Sequence, residues 1–107
     1  IISTGSKELD LTAIPDEFSL HQNYPNPFNP TTTILYDIPK ASMVNLEIYD
    51  LLGRKVRTLV SQDLAAGFHK AVWDATDDMG RQLSGGLYIY RIQADSFTKT
   101  MKMVLIK

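Results

Sequence analysis

The chain has no cysteine and only two histidines in 107 residues. The first absence excludes disulfide staples, cysteine nucleophiles and thiolate metal sites. It says little about compartment, because a domain of this size manages without disulfides in either redox setting. No apolar run approaches the ~20 residues of a membrane-spanning helix. Ile1 and Ile2 are followed at once by polar residues, which is not the pattern of a cleavable signal peptide. Charge of one sign is also missing: 11 Lys and Arg against 12 Asp and Glu leave a net charge of -1. There is thus no electrostatic footprint for nucleic acid or an anionic membrane surface. The length suits one domain with a modest core. The first residue is not methionine, and we read the chain as a piece of a longer protein.

What is present is first of all proline, placed oddly. "NYPNPFNPTTTILYDIP" carries Pro25, Pro27 and Pro30 directly ahead of an alternating apolar run. Proline cannot donate to a β-ladder. Tyr24, Asn26 and Asn29, each preceding a proline, are pushed towards extended conformations. The stretch is expected to be a stiff extended arm leading into a strand. Residues 1–17 show no sustained period and are expected to be an extended linker from an upstream domain, with 18–107 forming the folded unit.

From Phe18 onward the pattern is short segments between turn signals. "FSLHQ" suits a brief first strand. "TTTILYDI" puts Thr32, Ile34, Tyr36 and Ile38 on one side, and "MVNLEIYD" turns Val44, Leu46 and Ile48 inward. In "LLGRKVRTLVSQ", Leu52, Val56, Leu59 and Val60 also fit helical spacing; Gly53 close behind a strand favours a hairpin, and we assign a strand. "FHKAVWD" follows, then the Asp- and Gly-rich loop "ATDDMGRQLSGG". "LYIYRIQA" places Tyr88, Tyr90 and Ile92 on one face, and the closing "FTKTMKMVLIK" aligns Phe97, Met101, Met103 and Leu105. About seven strands with turns every 8–12 residues is the pattern of an antiparallel β-sandwich. Trp73, the only tryptophan, is the natural centre of its core. The chain contains no internal repeat.

Few residues point to chemistry. His21 and His69 lack metal-ligand spacing, and a structural or solvated role is the better reading for both. Asp74, Asp77 and Asp78 form a tight carboxylate cluster that could hold calcium, a hard ion that prefers oxygen. Asp side chains also cap tight turns, which explains Asp and Gly together and is preferred. Gly85 and Gly86 lack the lysine and following helix of a phosphate loop, and serve positive φ or close backbone approach. Tyr24, Tyr49, Tyr88 and Tyr90 could stack on sugars, but Tyr88 and Tyr90 alternate into the core. These residues call for no catalysis and no cofactor.

Four ordered stretches carry a resemblance: "QNYPNPFNPTTTILYDIP", "VNLEIYDLLGRKVRTLV", "AAGFHKAVWDATDDMGRQLSGGLYIYRI" and "FTKTMKMVLIK". Over about residues 18–107 the chain resembles the type A C-terminal sorting domain of the bacterial type IX (Por) secretion system. It is also similar to the Ig-like domain of the flagellar hook-capping protein. The resemblance implies a seven-stranded Ig-like sandwich that sits behind a passenger domain. It implies export through the periplasm, recognition by the outer-membrane translocon, and cleavage by a sortase-like peptidase, with the passenger then secreted or held at the cell surface. By position, the family's first motif falls on Asn23, Pro25, Asn26, Pro27 and Phe28. Its "YDLLGR" turn falls on Tyr49, Asp50, Gly53 and Arg54, its mid-domain glycine on Gly67, and its tryptophan–aspartate pair on Trp73 and Asp74. Gly80, Gly86, Tyr88 and Tyr90 follow, with Gly85 where a serine is common, and the terminal signal is the last strand with its basic end, Lys102 to Lys107.

The leading expectation is therefore a non-catalytic secretion-sorting domain whose signal is the last strand. The alternative is an accessory Ig-like binding module, for polysaccharide or protein, of a secreted hydrolase; it requires an exposed aromatic row. A structural domain of a hook-cap protein is a third reading. The proline arm is expected to pack Phe28 on the sandwich, leave its backbone exposed and shield a strand edge.

Overall fold

The computed structural model describes residues 13–107. Of the linker assigned to 1–17, residues 1–12 lie outside the described residues, and 13–17 form no strand. Seven antiparallel strands make up the rest: β1 (Ser19–Leu20), β2 (Thr32–Ile38), β3 (Ser42–Tyr49), β4 (Lys55–Leu64), β5 (Gly67–Trp73), β6 (Gly86–Ala94) and β7 (Phe97–Leu105). They form the expected Ig-like sandwich of two sheets, ordered β1-β2-β5 and β4-β3-β6-β7.

Alternation decides which face turns inward. Ile34, Tyr36 and Ile38 of β2 are buried against Val44, Leu46 and Ile48 of β3 and Tyr88, Tyr90 and Ile92 of β6. A slip of one residue in any pair would turn these rows to solvent, so burial also pins the register, with Ile34 opposite Ala71 and Leu46 opposite Ile92. Trp73 is fully buried between the Phe28 ring (centroids 5.8 Å apart) and the edge-on Tyr88 ring (5.5 Å), and its indole N–H donates to Thr76 O at 2.8 Å.

Two elements differ from simple period two. β4 pairs with β3 through two register shifts: Leu46 faces Val60 but Glu47 faces Thr58, and Ile48 faces Arg57 but Tyr49 faces Lys55. Leu59 and Val56 are thus the extra residues of two bulges, which is why β4 also fitted helical spacing. The first strand is shorter than "FSLHQ" suggests: beyond Leu20 the chain keeps only the His21 N–H bond to Leu35 O (3.0 Å) and a single bridge from Tyr24 to Thr33 of β2.

The arm is not a straight extended rod. Tyr24 and Thr33 exchange both backbone hydrogen bonds at 2.9 Å, closing residues 25–32 into a loop. The Asn23 side-chain amide donates to Thr32 Oγ1 (2.9 Å) and Pro25 O (3.1 Å), and the Thr32 hydroxyl donates to Pro25 O (2.9 Å). Long-range pairing and these buried side-chain bonds override the local extended preference. All three X-Pro bonds in it are cis.

Candidate functional site: the proline loop clasped on the last strand

Phe28 lies between two prolines but keeps its own N–H, and it uses both backbone groups. Its N–H donates to Val104 O at 3.0 Å and its C=O accepts from Ile106 N–H at 2.8 Å, a parallel bridge to the end of β7. The expectation that the arm's backbone stays exposed is therefore corrected at Phe28. Two side chains complete the edge contact, one as acceptor and one as donor: Asn26 Oδ1 accepts Val104 N–H at 2.9 Å, and Gln22 Nε2 donates to Lys102 O at 2.8 Å. Four outward backbone groups of β7, from Lys102 to Ile106, are thus satisfied by the loop. The ring of Phe28 is buried, while Tyr24, Pro25, Asn26 and Pro27 stand in solvent.

A second anchor lies beneath the clasp. The Tyr90 hydroxyl donates to His21 O at 2.7 Å and accepts Asn23 N–H at 2.9 Å. Burial pushes this phenol up to about 12, against the opposing pull of the Asn23 N–H. Asn23, Phe28 and Tyr90 meet at one clasp on β7, with Pro25, Asn26 and Pro27 in its loop, and Lys102 lies on the strand they cover. Gly53, Gly67 and Gly86 lie elsewhere: in the β3–β4 turn and at the starts of β5 and β6. Lys107 ends beside Gly85, where an added Cβ would meet Lys107 Cγ at 3.0 Å and Leu105 O at 3.1 Å. That is the close approach expected of this glycine pair.

The acidic loop turned out to repeat a turn already present. "DLLGR" (50–54) and "DDMGR" (77–81) fold alike. In each, the first N–H donates to the arginine C=O (3.0 and 2.9 Å), and the glycine N–H donates to the Asp C=O (3.0 and 2.9 Å). Asp50 Oδ1 accepts Leu52 N–H at 2.9 Å and Arg54 N–H at 3.0 Å; Asp77 Oδ1 accepts Met79 and Arg81 N–H at 2.9 Å each. Arg54 and Arg81 close the turns through Nε onto Oδ2 at 2.8 and 3.0 Å. Gly53 and Gly80 take φ of +82° and +81°, the left-handed region that other residues avoid. The backbone N–H of Arg54 and of Arg81 contributes most to holding Asp50 and Asp77 below the ordinary carboxylate range. A cleft of about 550 Å³ at this end of the sandwich is lined by both turns and Tyr88.

These contacts place the calcium candidates. Asp74 Oδ1 accepts the Thr76 hydroxyl at 2.6 Å, which leads in lowering its pKa; Asp77 is the turn acid; and Asp78 Oδ1 accepts Thr58 N–H at 3.0 Å. Each carboxylate serves its own donors. Among the described residues no three His, Asp or Glu side chains gather for a metal. Asp78 N–H also donates to Val56 O at 2.9 Å, so the loop covers part of the β4 edge as Phe28 covers that of β7. His21 Nε2 lies 2.9 Å from Asp37 Oδ2, and His69 stacks on Tyr36 with Nε2 2.8 Å from Ala65 O. Tyr49 donates to Glu47 at 2.6 Å and lies under the Arg91 guanidinium, 5.2 Å from the ring centroid. Hydrogen bonding to Tyr49 leads the causes that lower the Glu47 pKa.

Sequence reasoning missed Gln22, Thr32 and Val104, whose roles need partners as far as 80 residues away. It also missed the twin turns, although the D-x-x-G-R spacing was in plain view.

The chain is similar in fold to PorU from Porphyromonas gingivalis, a dimeric latent form, with TM-score 0.68 and 23% identity over 89% of this chain and 10% of that one. It is likewise similar to PorZ of the same organism, described as an essential bacterial surface component of the type-IX secretion system (TM-score 0.56, 22% identity, 98% of this chain and 13% of that one). FlgD from P. aeruginosa matches with TM-score 0.55 and 27% identity over 70% of this chain and 59% of that one. The chain thus spans about a tenth of PorU and 13% of PorZ. No curated protein sequence gives a significant match. The family model of the FlgD Ig-like domain matches residues 30–97, from the end of the proline loop to the first residue of β7, and the chain belongs to that family.

Proposed function

We propose that this is a non-catalytic sorting domain that directs an attached passenger across the outer membrane by the type IX secretion system and is removed after export. The observation that carries the reading is the clasp. The first motif of the resemblance and its terminal strand, far apart in sequence, meet in one structure through Phe28, Asn26 and Gln22. The fold shared with PorU and PorZ supports it. In this reading the partners are the outer-membrane translocon and the sortase-like peptidase, and the domain passes through the periplasm to the surface.

An accessory polysaccharide module would need an aromatic row. Among the described residues the aromatic side chains that stand out in solvent are Tyr24 and Phe68, one on the proline loop and one on β5. The test is export of a folded reporter fused ahead of residues 1–107, behind a periplasmic signal peptide, in a bacterium with a type IX system. Export of this fusion, with periplasmic retention of one lacking Thr100–Lys107, supports sorting. Retention of the intact fusion, with the domain shown to be folded, overturns it.

A further inference from the structure

The last strand of a sandwich can be read in three ways: along its edge, by its inner face or by its outer face. Here the edge is closed from Lys102 to Ile106 by the loop. Met103 and Leu105 of the inner face are in the core. What remains is the outer face. Val104 lies opposite Leu87 of β6, and Lys102 lies opposite Ile89, which in turn faces Tyr49 of β3. Val104 and Ile106 are exposed and Leu87 and Ile89 half-buried, so a small apolar strip runs across β6 and β7.

The charge around the strip is one-sided. Of the acids on this face, Glu47 is engaged by Tyr49, Arg91 and Lys55, and Asp63 lies opposite Met43 at the far end of β4. Among the described residues neither Lys102 nor Lys107 has a carboxylate within 4.0 Å. Unneutralised positive charge beside apolar side chains favours a partner that brings carboxylates around an apolar contact.

Resting on the sorting reading, we infer that the last strand is recognised in the folded domain through its outer face, Leu87, Ile89, Lys102, Val104 and Ile106 with Lys107, by an acidic, apolar-centred surface of a partner protein. Strand addition along Lys102–Ile106 is not the mode, because that stretch of the edge is already bonded.

The experiment uses the same exported fusion with three variants, each shown by a cooperative thermal transition to be folded at the assay temperature. Lys102→Glu with Lys107→Glu reverses the charge of the outer face. Lys70→Glu makes a single charge reversal on the opposite sheet. Gln22→Ala with Asn26→Ala frees two of the four edge groups, Lys102 O and Val104 N–H, without touching the outer face. The inference expects the first variant to lose export by about tenfold or more and Lys70→Glu to keep it. Wild-type export with an unaffected first variant overturns the inference and leaves sorting standing. Export raised by the edge-opening pair, with charge reversal silent, replaces it with strand addition. Failure of the wild-type fusion instead removes the sorting reading itself.

Discussion

Asn26 Oδ1 accepts the N–H of Val104 at 2.9 Å, so a side chain takes the place of a strand carbonyl on the edge of β7. One turn on, Phe28 adds both backbone groups and a buried ring. The two residues divide the clasp into an edge contact and a core contact. Phe28→Ala is expected to cost about 3–5 kcal/mol, the usual range for emptying an aromatic site. Asn26→Ala is expected to cost about 0.5–1.5 kcal/mol, because the freed N–H lies at the surface, where water can replace the bond. Urea denaturation of both variants decides; a Phe28→Ala cost no larger than that of Asn26→Ala would show that the ring is not part of the core.

Tyr90 provides a pH test. Its folded pKa of about 12 lies above the unfolded value of about 10, so the folded state holds the proton more tightly. Its contribution is complete below about pH 10 and is lost as pH rises from there through 12. Tyr36, Tyr49 and Tyr88 are shifted the same way, chiefly by burial. Tyr90→Phe should lower stability at neutral pH by about 1–3 kcal/mol, since His21 O and Asn23 N–H lose their shared partner. It should also flatten the alkaline limb of the stability curve. An unchanged slope between pH 10 and 12 would place the titration elsewhere.

The twin turns predict matched behaviour. Gly53→Ala and Gly80→Ala each force a Cβ into the left-handed region with open space around it, so strain alone acts. Each should cost about 1–2 kcal/mol, and the two costs should agree closely. Thermal melts read this directly; a large disparity would mean that one turn is held by contacts outside its own five residues.

Acid should loosen the same turns. Asp50 and Asp77 are held below their ordinary value, so their contribution is present above about pH 4 and fades as pH falls through the lower folded values. Replacing both with Asn should flatten the stability profile below that pH. An acid limb as steep as wild type would assign it to other carboxylates.

Gly85→Ser restores the residue common in the resembling family. Here a Cβ would press on Leu105 O, a backbone atom at 3.1 Å, and on the stem of Lys107. The expected cost is about 1–3 kcal/mol, the range for overpacking. A stabilised variant would show that the end of β7 moves aside freely.

Much of the fold was legible because burial on one face writes period two into the chain. Val44, Leu46 and Ile48, and again Tyr88, Tyr90 and Ile92, alternate without interruption and are all buried. β4 was less legible, since the bulges at Val56 and Leu59 break that period. Of the acids of 74–78, Asp74 and Asp77 bond within their own turns, whereas Thr58 and Val56 reach Asp78 from another strand, a partner that local sequence does not show.

The clasp marks the boundary between the two kinds of information. Local chemistry in the sequence determined that a segment with Pro25, Pro27 and Pro30 could not run as a central strand, and that Gly53 would turn the chain after β3. Only the tertiary structure decided that the segment closes on itself through Asn23 and Thr32 and lies along β7. Proline's missing N–H is a property of one residue. Which distant carbonyl or amide a side chain such as Asn26 will find depends on how two sheets, each registered by its own buried row, bring residues 26 and 104 together.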